Sequence, residues 1–204
     1  MSSEDDYHVV ASERLYDGKV VKLRRDDVRM SDGKVAAREV IEHPGAVGVV
    51  ALDNDGNVLL VNQYRHPVKA RLDELPAGLL DVSKESALDA AKRELAEEAG
   101  VAAANWNVLL DLHTTPGVSD EAIRIYLARD LSPVRPADGF EPEHEEAAMT
   151  VSREPLPDAV RRVLMGRITN AAAVAGILAV VHGRATGWRD LRPADAPWPA
   201  RHGR

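Results

Sequence analysis

This chain of 204 residues contains no cysteine. Disulfides and thiolate metal sites are therefore excluded. Aromatic side chains are scarce: one Phe, four Tyr and three Trp. Positive charge is not in excess; the formal net charge is −7. Such a chain repels phosphate backbones, which argues against a general nucleic-acid-binding surface. No apolar run approaches the length of a membrane span. The opening MSSEDDYH is polar and acidic, unlike a signal peptide. A cytoplasmic enzyme is the expectation. The rest is ordinary for a globular protein: 45% apolar and 29% charged residues. The length suits one domain with additions and a sizeable core.

The informative run is GLLDVSKESALDAAKRELAEEAGV, from Gly78 to Val101. Ser86 followed by Asp89 fits a helix N-terminal capping box. Leu88, Ala91 and Leu95 recur at helical spacing, and Gly100 suits the left-handed position that ends a helix. Glu94, Glu97 and Glu98 stand at i, i+3 and i+4, so one face carries all three carboxylates, off the packed stripe. Like charges so placed repel unless a cation sits among them. Hard divalent cations take oxygen ligands, usually a few carboxylates and substrate phosphate. The run reads as a helix that holds metal against a phosphorylated substrate.

Strands are expected around it. Lys19 to Met30 and Val35 to His43 flank the hairpin turn Ser31-Asp32-Gly33-Lys34. Ala46 to Leu52 and Val58 to Tyr64 flank a second turn, Asp53 to Asn57. Trp106 to Leu112, Ala122 to Leu127 and a short piece at Ala148 to Ser152 read as further strands. Leu156 to Met165 and Asn170 to His182 read as helices. His113 to Glu121 is a polar loop. Segment 132–146 is long, acidic and proline-bearing, the form of a lid or functional loop. The Arg-, Pro- and Ala-rich end from Arg184 is expected to fray. The pattern indicates an α/β (α+β) sandwich.

The run from Gly78 to Val101 resembles the Nudix box, the signature of hydrolases that cleave nucleoside diphosphates linked to another group. Glu85, Arg93, Glu94, Leu95, Glu97, Glu98, Gly100 and Val101 match it in position. One departure is visible: six residues separate Gly78 from Glu85, where the pattern has five. The likeness covers roughly residues 45–165. It implies a mixed β-sheet between helices, with Mg²⁺ as cofactor and Mn²⁺ as the alternative. It also implies metal ligands at the Ala77 carbonyl, Glu94 and Glu98, with Glu97 sharing or supporting the cluster. Arg93 would pair with Glu97, and Glu85 would order the loop or meet a second metal. Gly78 and Gly100 take structural roles.

Other segments are similar to the dimeric ADP-ribose pyrophosphatases. Pro116 stands sixteen positions after Gly100, within Thr115-Pro116-Gly117 and Ser119-Asp120-Glu121. Val61 to His66 and Glu74 to Gly78 also resemble that subgroup. The resemblance implies hydrolysis of ADP-ribose to AMP and ribose 5-phosphate. It assigns substrate contacts to Arg38, Glu39, Arg65, Pro116, Ser119 and Glu121. It assigns the general base to Glu146, with Glu145 as alternate. It implies a homodimer that exchanges N-terminal strands, and divides the chain at 1–43, 44–183 and 184–204. Relatives often stack adenine on an N-terminal aromatic, but Gly18 to Leu23 has none and Tyr16 is the nearest. Another nucleoside diphosphate derivative, such as a nucleotide sugar or dinucleotide, is the runner-up substrate. A non-catalytic Nudix-like sensor is a third reading, disfavoured because the box carboxylates are intact.

Overall fold

A computed structural model describes residues 7–135 and 148–199. The segment AVGVVA forms strand β4, Ala46–Ala51, buried at every position. A continuous apolar run of this kind suits a strand covered on both faces. Its alternate side chains divide between two cores. Val47, Val49 and Ala51 pack with Ala90, Ala91 and Leu95 of helix α1, Ala87–Ala99. Val50 packs with Ile177 and Val180 of helix α3, Ala171–Ala185. Helix α2, Leu156–Leu164, contributes Leu156 and Ala159 to the second core. The sheet therefore lies between helices, as the sequence indicated.

Three sheets are present among the described residues. The largest has the order β11-β8-β9-β4-β7. Its other members are β7 (Ala77–Leu79), β8 (Val101–His113), β9 (Ala122–Pro133) and β11 (Arg192–Pro193). β4 runs parallel to β9 and antiparallel to β7, with Gly48 opposite Ala77. The second sheet is β10-β5-β6, built from Thr150–Pro155, Asn57–Arg65 and Ala70–Glu74. The third is antiparallel: β1 (His8–Asp17), β2 (Lys22–Arg29) and β3 (Val35–Glu42).

Both expected turns form. Gly33 and Gly56 take φ of 82° and 83°, the left-handed region that glycine enters without a Cβ penalty. β1, β6 and β7 were not anticipated as strands. β7 is three residues long and is held by the edge of β4 rather than by any pattern of its own.

The chain forms two compact units. One contains the residues up to Gly45 together with His113–Ala122; the other contains Ala46–Leu112 and the residues from Ile123 onward. The loop at 113–122 therefore joins the N-terminal strands, which the expected division at residues 43 and 44 did not foresee. The fraying expected from Arg184 is also corrected. Residues 192–193 pair with β8. Arg124, 3% exposed, donates to the carbonyls of Ala196 at 2.7 Å and Pro197 at 2.9 Å, and stacks on Trp198. A buried guanidinium needs acceptors, and the C-terminal segment supplies them.

Candidate active site

Helix α1 begins where the Ser86 hydroxyl accepts the Asp89 N–H at 3.1 Å. It ends at Gly100, with φ 63° and its N–H on the Ala96 carbonyl. Ala90, Ala91 and Leu95 are buried, so the helix is fixed by its apolar side. Its carboxylates lie off that side, and Arg93 sits among them. Arg93 donates to both oxygens of Glu85 at 2.9 and 3.0 Å, to Glu94 at 2.7 Å and to Glu97 at 3.0 Å. These contacts, led by Glu85, push the guanidinium pKa above its already high value. The cation answers the repulsion expected of this face. The bidentate pair ties Glu85, in the segment before the helix, to Arg93 on the helix.

Two carboxylates reach strand β7. Glu98 accepts the Ala77 N–H at 2.8 Å. Glu94 lies over Gly78, where a Cβ would fall 1.9 Å from its Oε1. Gly78 is thus required by close approach, not by backbone dihedral. Among the described residues no three acidic or histidine side chains come together as a group that could hold an ion. The donor set still fits a hard cation. Glu94 and Glu98 converge on the Ala77–Gly78 backbone, and an incomplete set suits a metal that also binds water and substrate phosphate.

Arg65 is engaged through Nε and Nη2, at 3.0 and 2.8 Å, by Glu74. Glu74 is only 3% exposed. The only local sign of Glu74's role is a charged residue beside the apolar Leu75. The pair holds Arg65 by a fork, so two of its nitrogens already have a carboxylate partner.

The remaining candidates fall in the N-terminal unit. The loop docks on β3: the Ile41 N–H donates to the Val118 carbonyl at 2.8 Å, and the Asp120 N–H to the Ile41 carbonyl at 3.1 Å. The Ser119 hydroxyl donates to the Ile41 carbonyl at 3.1 Å, and Asp120 accepts the His43 N–H at 2.9 Å. Glu121 accepts from Thr114 and lies 3.6 Å from His43 Nδ1. That nitrogen also accepts the Gly45 N–H at 3.2 Å. Pro116, Ser119 and Glu121 thus share a unit with Arg38 and Glu39 of β3. Arg38 is exposed and donates to its neighbour's carbonyl, at Ala37. Asp120 and His43, which anchor the loop, were missed because their roles depend on a contact 77 residues apart. Glu145 and Glu146 lie outside the described residues.

The family model described as NUDIX domain matches residues 42–165. A second, described as nucleoside diphosphate sugar hydrolase N-terminal domain, matches residues 7–41. An ADP-ribose pyrophosphatase of Mycobacterium tuberculosis is 51% identical over 197 residues, 96% of this chain and 93% of that one. A methanol dehydrogenase activator of Bacillus methanolicus is 33% identical over 168 residues, 82% of this chain and 89% of that one. A crystal structure of an ADP compounds hydrolase superposes with a TM-score of 0.76, covering 92% of this chain and 100% of the other, at 24% identity. That last likeness concerns the fold.

Proposed function

This chain belongs to the Nudix family, and from that premise we propose that it hydrolyses the pyrophosphate of ADP-ribose to AMP and ribose 5-phosphate. The observation that carries the reading is the box cluster, in which Glu94 and Glu98 meet the Ala77–Gly78 backbone. The substrate is carried over from the mycobacterial relative. Family membership brings a divalent cation, and Mg²⁺ is our assignment, with Mn²⁺ as the alternative. When bound, the cation neutralises phosphate oxygens and lowers the pKa of water.

The protein's own groups divide the remaining work. Glu94 and Glu98 face the phosphate side of β7, and Glu97 is oriented by Arg93. Arg65, steadied by Glu74, meets a phosphate oxygen. Ser119, Glu121 and Pro116 shape the substrate loop, with Arg38 and Glu39 as neighbours on β3. Glu146 takes the proton of the attacking water, with Glu145 as alternate. Comparing Glu146→Gln with Glu145→Gln assigns that role, because the base variant alone loses most of its turnover.

We assign a cytoplasmic homodimer with N-terminal strands exchanged, working on a small nucleotide without membrane or nucleic acid. All ten residues of β1 are exposed in the single chain, Val9 at 55% and Tyr16 at 60%, which supports a partner surface there. Light scattering at a single chain's mass would refute the dimer.

A second reading, a nucleotide sugar as substrate, is favoured by the family match over residues 7–41. The absence of an aromatic residue between Gly18 and Leu23 weakens adenine selection in the same direction. The deciding experiment is hydrolysis of ADP-ribose against a panel of nucleotide sugars in ¹⁸O water. ADP-ribose should give the highest kcat/KM, and the label identifies the attacked phosphorus. A nucleotide sugar turned over faster would replace the proposal.

A further inference from the structure

Leu52 follows the carboxyl end of β4, and Asp130 lies in β9 two residues past Ala128, where its parallel pairing with β4 ends. Beside them lies a cavity of about 300 Å³. It is lined by the Asp53–Gly56 turn, Asn105, Arg129, Asp130, Arg184 and Trp188. Crevices at the carboxyl ends of parallel strands are common ligand sites, and this volume is at the small end of known ligand pockets. From Gly48, which pairs with Ala77 beside the box, Leu52 lies four residues along the strand, roughly 13 Å. The cavity is thus at the other end of β4 from the Ala77–Gly78 backbone that Glu94 and Glu98 reach.

Its arginines are placed but not neutralised. The Arg129 guanidinium lies 5.0 Å over the Trp188 ring. That ring rests on Gly183, where a Cβ would come within 2.6 Å of it. The Trp188 backbone N–H donates to the Gly183 carbonyl at 2.8 Å. Arg129 Nη2 makes a long bond to Asn107 Oδ1 at 3.3 Å. Its Nε is buried with no hydrogen-bond partner, and a buried donor of this kind calls for an acceptor. Arg184 lies against the turn, its Nη1 3.0 Å from where a Gly56 Cβ would be. Among the described residues, neither arginine has a carboxylate partner.

The carboxylates that line the cavity are engaged elsewhere. Asp53 accepts the N–H groups of Asp55 and Asn57 and the Asn57 amide, and pairs with Arg153 at 3.5 Å. Asp130 accepts from the Asn105 amide. The lining thus sets two guanidinium groups beside two carboxylates, and both carboxylates are held by other groups. Guanidinium forks match the oxygens of phosphate.

We propose that this cavity is a second ligand site, separate from the box, that takes the dianion of a phosphate monoester on Arg129 and Arg184. Arg129 already lies over the Trp188 ring and Gly183 lies against it, so the site selects the phosphate group rather than a stacked base.

The test uses the full-length protein in excess EDTA, so that binding dependent on the box metal is absent. Inorganic phosphate, ribose 5-phosphate and AMP are titrated separately by calorimetry, with tryptophan fluorescence as a second signal. Ribose 5-phosphate is expected to bind with one site per chain and to change the emission of Trp188. Inorganic phosphate binding equally well identifies the anion alone as the ligand; tighter binding of either ester shows that the attached group is read as well. Arg184→Ala, on an exposed side chain, should weaken binding about tenfold or more and leave folding intact. Arg129→Lys should keep part of the affinity and lose the fluorescence change. Glu98→Gln should leave metal-free binding unchanged. Absence of binding, insensitivity to Arg184→Ala, or loss in Glu98→Gln would each overturn the proposal.

Discussion

Gly78 shows how one missing side chain sets the chemistry of the box. Its backbone needs no special dihedral; what matters is that Glu94 occupies the space a Cβ would take, 1.9 Å from its oxygen. Gly78→Ala should therefore displace Glu94 while leaving the buried face of α1 in place. Turnover should fall about 10–100-fold, the range seen when groups supporting a metal site are lost, with little change in melting temperature. Unchanged kcat would show that Glu94 need not sit where it does. Glu98→Gln asks a different question, because the amide can still accept the Ala77 N–H that Glu98 accepts at 2.8 Å. The strand contact survives and the charge is lost, so kcat should drop at saturating metal with the fold intact. Wild-type turnover in that variant would remove Glu98 from the metal set.

At the scale of elements, what the sequence revealed depended on whether an element's reasons were local. Helix α1 was legible because cap, stripe and stop lie within its own residues, from Ser86 to Gly100. The hairpin turns were legible through Gly33 and Gly56, whose positive φ is a local demand. β7 was not, since Ala77–Leu79 is a strand only through its pairing with β4. The site divides in the same way. The box cluster could be read from spacing, but the Arg65–Glu74 fork and the Asp120 anchor needed the fold. The C-terminal segment misled for a related reason: its Arg, Pro and Ala content looks unstructured, and the acceptors that Arg124 requires are backbone carbonyls, which composition does not reveal. Deleting residues 194–204 removes the Ala196 and Pro197 carbonyls and the Trp198 ring from Arg124. Hydrogen bonds to a charged group contribute about 1.5–3 kcal/mol each. Urea unfolding should show a loss of about that size or more, with Asp111 still paired to Arg124. A truncated protein as stable as the full chain would mean that the C-terminal segment contributes nothing.

At the scale of the whole molecule, acid stability in each unit depends on buried or partly buried carboxylates. In the N-terminal unit, the Ser12 hydroxyl bond to Asp26 holds that carboxyl below its ordinary range, with Arg24 adding to the effect against the opposing cost of burial. Arg24 does the same for Glu42. In the larger unit, burial alone would raise Asp111 and Asp53. Bonds from Arg124 and Arg192 outweigh it at Asp111, and the turn N–H groups with Arg153 outweigh it at Asp53. All four shifts have one sign. A depressed folded pKa means that the unfolded chain takes up protons first as pH falls. The associated stability is present above the unfolded carboxylate pKa, about 4, and is lost as pH drops through the folded values. The chain should hold its stability near neutrality and lose it steeply below about pH 4. Ser12→Ala isolates one contribution. It removes the Asp26 bond, so the carboxyl titrates nearer its unfolded value and its share of the pH dependence shrinks. Relative to wild type, the variant should be less stable at pH 7 by about 1 kcal/mol, and the two curves should converge in acid, where Asp26 is protonated in both. Urea titrations of both proteins across that range measure the gap directly. A gap of constant size at every pH would show that the hydroxyl stabilises β1 by packing, and that the charge on Asp26 has no part in it.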